Sequence, residues 1–206
     1  MKKNGVLFLL LICMLTACNQ QVTNGSDKDI ISSNGEDNDN DLYGLHDIPD
    51  EFLTISADKT VFDGNGITFS VPSDWKCSML NAEDGSAYYF RHPEWGEKCE
   101  FSFLLTFAEL FSGERTEQEY AEYLAFGKRE NVQIDSFTRE KVGGYTCRQV
   151  VSSYSLENTE FVRIDCNYII VGHKLYHFII EYPAAERATF EPIFNSIIHS
   201  IEFKTE

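Results

Sequence analysis

The sequence predicts an α+β domain in which a mostly antiparallel sheet is flanked by helices. Three observations predict it. Several segments alternate apolar and polar residues with the period of two that a half-buried strand requires, Ile67-Thr68-Phe69-Ser70-Val71 being the clearest. Two segments, one mid-chain and one near the end, carry apolar residues at helical spacing instead. The order is strands, helix, a long meander of strands, helix, and that segregation points to an antiparallel sheet with helices packed on it.

The first strand runs Lys59 to Phe62 and turns at Asp63-Gly64-Asn65-Gly66 into the strand Ile67 to Val71. Pro72-Ser73-Asp74 ends that strand, and Trp75 after the break is expected to plug the core. Strands follow at Lys76–Leu80, Ala87–Arg91 and Cys99–Phe107, with turn chemistry between Asn81 and Ser86 and the loop His92-Pro93-Glu94-Trp95-Gly96. Thr116-Glu117-Gln118-Glu119 fits a capping box, in which threonine and glutamate satisfy the orphan N–H groups of a helix start. Tyr120, Tyr123 and Leu124 then fall on one face, predicting a helix from Glu117 to about Arg129. The meander reads Phe137–Val142, a Gly143-Gly144 turn, Tyr145–Ser155, a turn at Leu156 to Thr159, Phe161–Val171, a turn at Gly172-His173-Lys174, and Leu175–Tyr182. Phe190, Ile193, Phe194, Ile197 and Ile198 form the stripe of the last helix. Thr189 is its expected cap, and Pro192 then falls in the first turn where its missing N–H is harmless. A short extended piece, Ser200–Lys204, closes the chain.

The domain is thus expected over 59–206, and what precedes it is of another kind. Residues 18–58 are polar and acidic, with aspartates at 37, 39 and 41 alternating with asparagines. Such a stretch has too little apolar surface to offset its ordering entropy, so it reads as a disordered tether. The alternation invites a calcium-loop reading, but the twelve-residue register fails: no glycine stands sixth and no glutamate twelfth. Leu42 to Phe52 is more apolar and is expected to pack loosely on the domain or to form a short helix.

At the start, Lys2 and Lys3 precede an apolar run from Val6 to Leu15, closed by Leu15-Thr16-Ala17-Cys18. Residues 1–17 resemble a bacterial lipoprotein signal peptide, whose final cysteine, here Cys18, receives a lipid and becomes the mature N-terminus. Gly5 to Ala17 makes a helix of only roughly 20 Å against a hydrocarbon core of about 30 Å, too short for a comfortable span. The reading places the domain on the extracytoplasmic face, anchored by lipid. Asn19 gives no retention signal of the aspartate type, so a cell with two membranes would hold it in the outer one.

A formal charge of −16 excludes nucleic acid as a partner, since phosphates need lysine and arginine. Of six cysteines, Cys13 leaves with the signal and Cys18 carries lipid. No close C-x-x-C pair exists for a metal among Cys77, Cys99, Cys147 and Cys166. An even number in an exported chain suggests two disulfides, with three pairings open. A turn centred between Leu156 and Glu157 would set Cys147 opposite Cys166 and leave Cys77 for Cys99. A two-residue turn at Glu157-Asn158 would instead oppose residue 168 to Cys147 and spoil the match.

The segment Gly66-Ile67-Thr68-Phe69-Ser70-Val71-Pro72-Ser73-Asp74-Trp75 resembles the opening of PsbP-like domains, a glycine and hydrophobic strand running into Pro-x-x-Trp. The later meander, and a Phe- and Ile-rich helix running into Ser200-Ile201-Glu202-Phe203, are similar to their ending. The resemblance spans Thr60 to Phe203 and implies a PsbP/Mog-like α/β/α sandwich, shared with Mog-type Ran-binding proteins and DcrB-like bacterial lipoproteins. It implies binding or scaffolding rather than catalysis and carries no catalytic residue over. Fold alone does not give function.

No nucleophile elbow, phosphate loop or zinc motif is present. His173 and His177 straddle a turn and a strand, so they read as surface histidines rather than a ligand pair. Glu97/Glu100 and Glu157/Glu160 could imitate a glycosidase pair, but among 33 acidic residues such spacings arise by chance. Trp95 stands in a loop with Pro93 and Gly96, where an exposed indole would anchor a partner and a buried one would fold back on the sheet. The expected function is a lipid-anchored extracytoplasmic binding or scaffolding domain, with a protein or small molecule as its partner and no cofactor or metal. An envelope-polymer hydrolase and a cation-binding acidic lipoprotein are the rival readings.

Overall fold

The structure is a computed structural model that describes residues 44–82, 84–125 and 129–204. The signal segment, Cys18 and the acidic alternation at 37–41 lie outside the described residues. In chain order the strands are β1 (Leu53–Ile55), β2 (Lys59–Gly64), β3 (Ile67–Pro72), β4 (Lys76–Ala82), β5 (Gly85–His92) and β6 (Gly96–Phe107). The helix α1 (Glu117–Ala125) follows, then β7 (Glu130–Val142), β8 (Tyr145–Leu156), β9 (Thr159–Val171) and β10 (Lys174–Pro183). The helix α2 (Arg187–His199) and the short β11 (Glu202–Phe203) complete the fold.

These strands form two antiparallel sheets. A small sheet has the order β1-β2-β3-β11, and a long one the order β4-β5-β6-β10-β9-β8-β7. The α+β expectation holds, with a correction to its layers: the inner face of the long sheet is covered by the small sheet as well as by α2. The reason lies in β3. Ile67, Phe69 and Val71 are buried while the residues between them are half-buried, so this strand needs an apolar layer of its own to face. That layer is an aromatic core. Phe69 lies 5.0 Å from Phe62 and between 5.1 and 5.6 Å from Phe90, Phe101 and Phe103 of the long sheet. Most of these pairs are edge-to-face, the arrangement ring quadrupoles favour. Trp75 is buried against Phe194 of α2, as the core-plug reading expects.

Turn chemistry fixes the registers. Asn65 and Gly66 both have positive φ and make a two-residue turn of the kind that suits hairpin twist. Gly143 and Gly144 do the same between β7 and β8. A Cβ at Gly143 would stand 2.7 Å from the Phe203 ring, so β11 can close over this turn only because the residue is glycine.

Four boundaries differ from the sequence reading. β7 begins at Glu130, because Val132 and Ile134 continue the alternation across two bulges. As a result Arg129 lies outside the helix, and the described residues of α1 run to Ala125. The helix α2 starts at Arg187, with no side-chain cap, so Thr189 does not cap it and Pro192 lies inside it. Finally, the packed structure reaches back to Leu45, ahead of residue 59. Ile48 is buried in the main core, a 3-10 turn spans Asp50–Phe52, and β1 pairs with β2.

Candidate functional site

The inner face of the long sheet is apolar, and its outer face carries the polar chemistry. Alternation along β9 sends Val162, Ile164 and Cys166 into the core and Arg163, Asp165 and Asn167 to the other side. The register then lines up charges across four strands. Arg91 of β5 faces Glu100 of β6, Glu100 faces Glu181 of β10, and Glu181 faces Arg163 of β9. Two carboxylates thus stand directly opposite each other, flanked on both sides by arginine.

Each charge in the row has a partner. Arg91 Nε donates to Glu100 Oε2 at 2.8 Å, and its guanidinium also lies 3.6 Å from Glu97. Arg163 grips Asp165 with both Nε and Nη2, at 2.8 and 2.9 Å, and reaches Glu181 with Nη1 at 3.2 Å. Arg129, just ahead of β7, adds a second cation 3.7 Å from Glu181 and stacks 4.8 Å above the Tyr154 ring. Three arginines, Arg91, Arg129 and Arg163, thus meet four carboxylates, Glu97, Glu100, Asp165 and Glu181.

His177 of β10 completes the group. Its Nε2 donates to Asp165 Oδ1 at 2.8 Å. Opposite it β9 bulges: the register shifts so that Asn167 and Tyr168 together face this one residue, and Tyr168 takes a positive φ. Asn167 stays on the outer face with Arg163 and Asp165, where its Nδ2 donates to the Tyr120 hydroxyl of α1 at 2.8 Å, and the extra residue of the bulge returns Ile169 to the core. α1 covers this end of the face through Tyr120 and Leu124 against Val150. The capping box forms as expected, with Glu119 accepting from the Thr116 N–H at 2.7 Å. Glu114, just before it, binds Arg139 of β7 and Arg148 of β8 at 2.8 and 3.1 Å.

Burial sets the proton affinities. Burial raises the pKa of Asp165, but the Arg163 charge and the His177 hydrogen bond outweigh it and hold the carboxyl well below its ordinary range. Burial also lowers the pKa of His177, more than the bond to Asp165 raises it. For Glu100 burial again dominates, and its pKa stays raised in spite of Arg91. A depressed histidine binds its proton more readily in the unfolded chain, so its contribution to stability is lost as pH falls from 6.5 through the folded pKa. Asp165 adds loss in the same direction below about pH 4, while Glu100 works the opposite way. We expect urea unfolding to show lower stability at pH 5.5 than at pH 7.5, with the difference reduced in His177→Gln. An equal pH dependence in the variant would remove His177 as its source.

The residues singled out in the sequence are placed as follows. His173 is exposed beside Glu109, as expected, whereas His177 is buried, a correction caused by the partners that β9 supplies. Glu97 and Glu100 share Arg91 rather than forming a free carboxylate pair, and Glu157 sits in an exposed turn. Trp95 shows parts of both readings: it is 36% exposed and touches Phe190 edge-on with ring centroids 6.3 Å apart.

The four described cysteines, Cys77, Cys99, Cys147 and Cys166, are free thiols. Glu157 and Asn158 both take positive φ and form the two-residue turn, which slides the register by two, so Gln149 and not Cys147 faces Cys166. Cys147 and Cys166 are diagonal neighbours that share a hydrogen bond, which lowers the first thiol's pKa and raises the second's. Between Cys77 and Cys99 runs β5, since Cys77 faces Phe90 and Phe90 faces Phe101. Two strand spacings are about 9.6 Å, beyond the roughly 7 Å Cα reach of a disulfide. Among the described residues no group of three or more His, Cys, Asp or Glu is placed to hold a metal ion.

The sequence matches no family model and no curated protein. Solved structures do match. Cyanobacterial PsbP (CyanoP) from Synechocystis sp. PCC 6803 aligns with a TM-score of 0.52 at 10% identity, over 72% of this chain and 94% of that one. The likeness shows a PsbP-like fold. LpqN of Mycobacterium tuberculosis, described as involved in cell envelope biogenesis, aligns with a TM-score of 0.39 at 13% identity, over 77% of this chain and 98% of that one. A Bacteroides thetaiotaomicron protein aligns at 0.45 and 18% identity, over 72% of this chain and 49% of that one.

Proposed function

We propose that the chain is a lipid-anchored extracytoplasmic domain with a binding or scaffolding role. The observation that carries the reading is the segment Leu15-Thr16-Ala17-Cys18 behind its charged and apolar leader. A PsbP-like fold is compatible with it. Binding is favoured over catalysis because the carboxylates and His177 of the outer face are engaged with arginines and with one another, although the Tyr154 hydroxyl beside Arg129 has no hydrogen-bond partner. Asp165 accepts from Arg163 and His177, and Glu181 faces two arginines, so among the described residues of this face no carboxylate or histidine stands as a free base beside a nucleophile. The partner is a protein or a small molecule, nucleic acid being disfavoured by the charge of −16.

Cell fractionation tests the anchor. In its host the protein should sediment with membranes and incorporate labelled palmitate, and Cys18→Ser should abolish labelling and either release the protein or leave an uncut precursor. Equal palmitate incorporation by the variant would sink the assignment.

A further inference from the structure

Two of the four described cysteines stand side by side on the inner face of the long sheet, both as free thiols. Cys147 of β8 and Cys166 of β9 are each 1% exposed and belong to the main apolar core. The pairing of β8 with β9 sets Gln149 against Cys166 and Arg148 against Asn167. Continued by one residue, it would set residue 168 against Cys147. Tyr168 is the bulge residue, however, and its hydroxyl accepts from the Arg115 N–H, just ahead of α1. The inner-face neighbours of Cys147 on β9 are therefore Cys166 and Ile169, and the two thiols share a hydrogen bond.

This spacing suits a metal ion better than a disulfide. Diagonal neighbours on one sheet face lie about 7–8 Å apart, with their Cβ atoms somewhat closer. A disulfide needs Cβ atoms about 3.8 Å apart. Two metal–sulfur bonds of about 2.3 Å in line hold their sulfurs roughly 4.6 Å apart, which diagonal side chains can span without moving the strands. The ligand count narrows the choice of ion. Zinc takes four ligands, and among the described residues no third His, Cys, Asp or Glu joins the two sulfurs. Thiolates are soft ligands and select Cu(I), an ion satisfied by two sulfurs in line. The surroundings favour the negative charge of such a complex. Gln149 Nε2 donates to Cys166 Sγ at 3.9 Å, and a backbone hydrogen bond at Glu140 favours the Cys147 thiolate. The way in is short. β7 is the edge of the sheet, and beside the thiols it presents the exposed Thr138 and Glu140, with half-buried Gln149 between.

We propose that Cys147 and Cys166 form a two-coordinate site for Cu(I), held in line between their sulfurs. Binding breaks two S–H bonds and forms two S–Cu bonds. The ion keeps its oxidation state, two protons leave to solvent, and the complex carries one negative charge. Affinity therefore falls with pH, by about tenfold per unit for each thiol proton displaced. The site does not depend on the Cys18 anchor, and it adds an inorganic ligand to the binding role.

The test uses full-length protein from its host, reduced and desalted without air, then titrated with Cu(I) against bathocuproine disulfonate. One ion per chain should be retained, X-ray absorption should show two sulfur neighbours, and the affinity should fall as pH is lowered. Cys147→Ala and Cys166→Ala should each weaken binding by roughly 100-fold or more, since each removes half of the soft ligands. Cys77→Ala and Cys99→Ala should leave it unchanged. Melting scans establish that the variants are folded; where Cys147→Ala or Cys166→Ala is not, the sulfur count in the parent decides. No retained Cu(I), binding that survives either substitution, a centre with three or four ligands, or equal retention of Zn(II) would overturn the site. So would a Cys147–Cys166 disulfide found by peptide mapping before reduction.

Discussion

Asp165→Ala is expected to cost about 3–5 kcal/mol of folding stability, because it leaves the Arg163 guanidinium buried without its two-pronged partner. A domain of this size has only about 5–15 kcal/mol in total, so the variant should lie near the edge of folding at 37 °C. Urea unfolding measures the loss. A companion variant separates the two sources of the effect. Replacing the pair together, Arg163→Met with Asp165→Leu, removes both charges, while Arg129 still faces Glu181. Much of the lost stability should return, since a buried pair removed whole is often nearly neutral. If Asp165→Ala proves as stable as the parent, the pair is solvated and the account of the outer face is wrong.

Phe69→Ala should be as damaging, by about 3–5 kcal/mol, for a different reason. Its ring meets four others at the contact of the two sheets, and truncation leaves a cavity that the strands cannot collapse to fill. The comparison is Phe107→Ala, which removes an equal side chain from an exposed position and should change stability little. Similar losses in both would mean that the small sheet is not packed as described.

The strands were legible where apolar and polar residues alternate without interruption. Ile67 to Val71 is such a run, and its burial follows the pattern residue by residue. The Thr116/Glu119 box was legible because it depends only on local spacing. The second sheet was not, because period two shows that a strand has an apolar face but not which layer that face meets. Register was harder still. Moving the centre of one turn from between Leu156 and Glu157 to between Glu157 and Asn158 shifts every cross-strand pair by two and separates Cys147 from its expected partner. A signal for the charge row was nonetheless present. Arg163, Asp165 and Asn167 alternate with Val162, Ile164 and Cys166 inside the meander, so three polar groups had to share one face of an interior strand. What the sequence could not supply is that Glu181, His177 and Glu100 come from neighbouring strands to meet them, since those contacts follow from strand order.

The central functional claim is that this PsbP-like domain is tied to a membrane through Cys18. Mass spectrometry of the N-terminal peptide, taken from protein extracted from its own host's membranes, tests it most directly. The account predicts a mature chain beginning at Cys18 with a diacylglyceryl group on its sulfur. A chain that begins at another residue, or an unmodified thiol at Cys18, would contradict it.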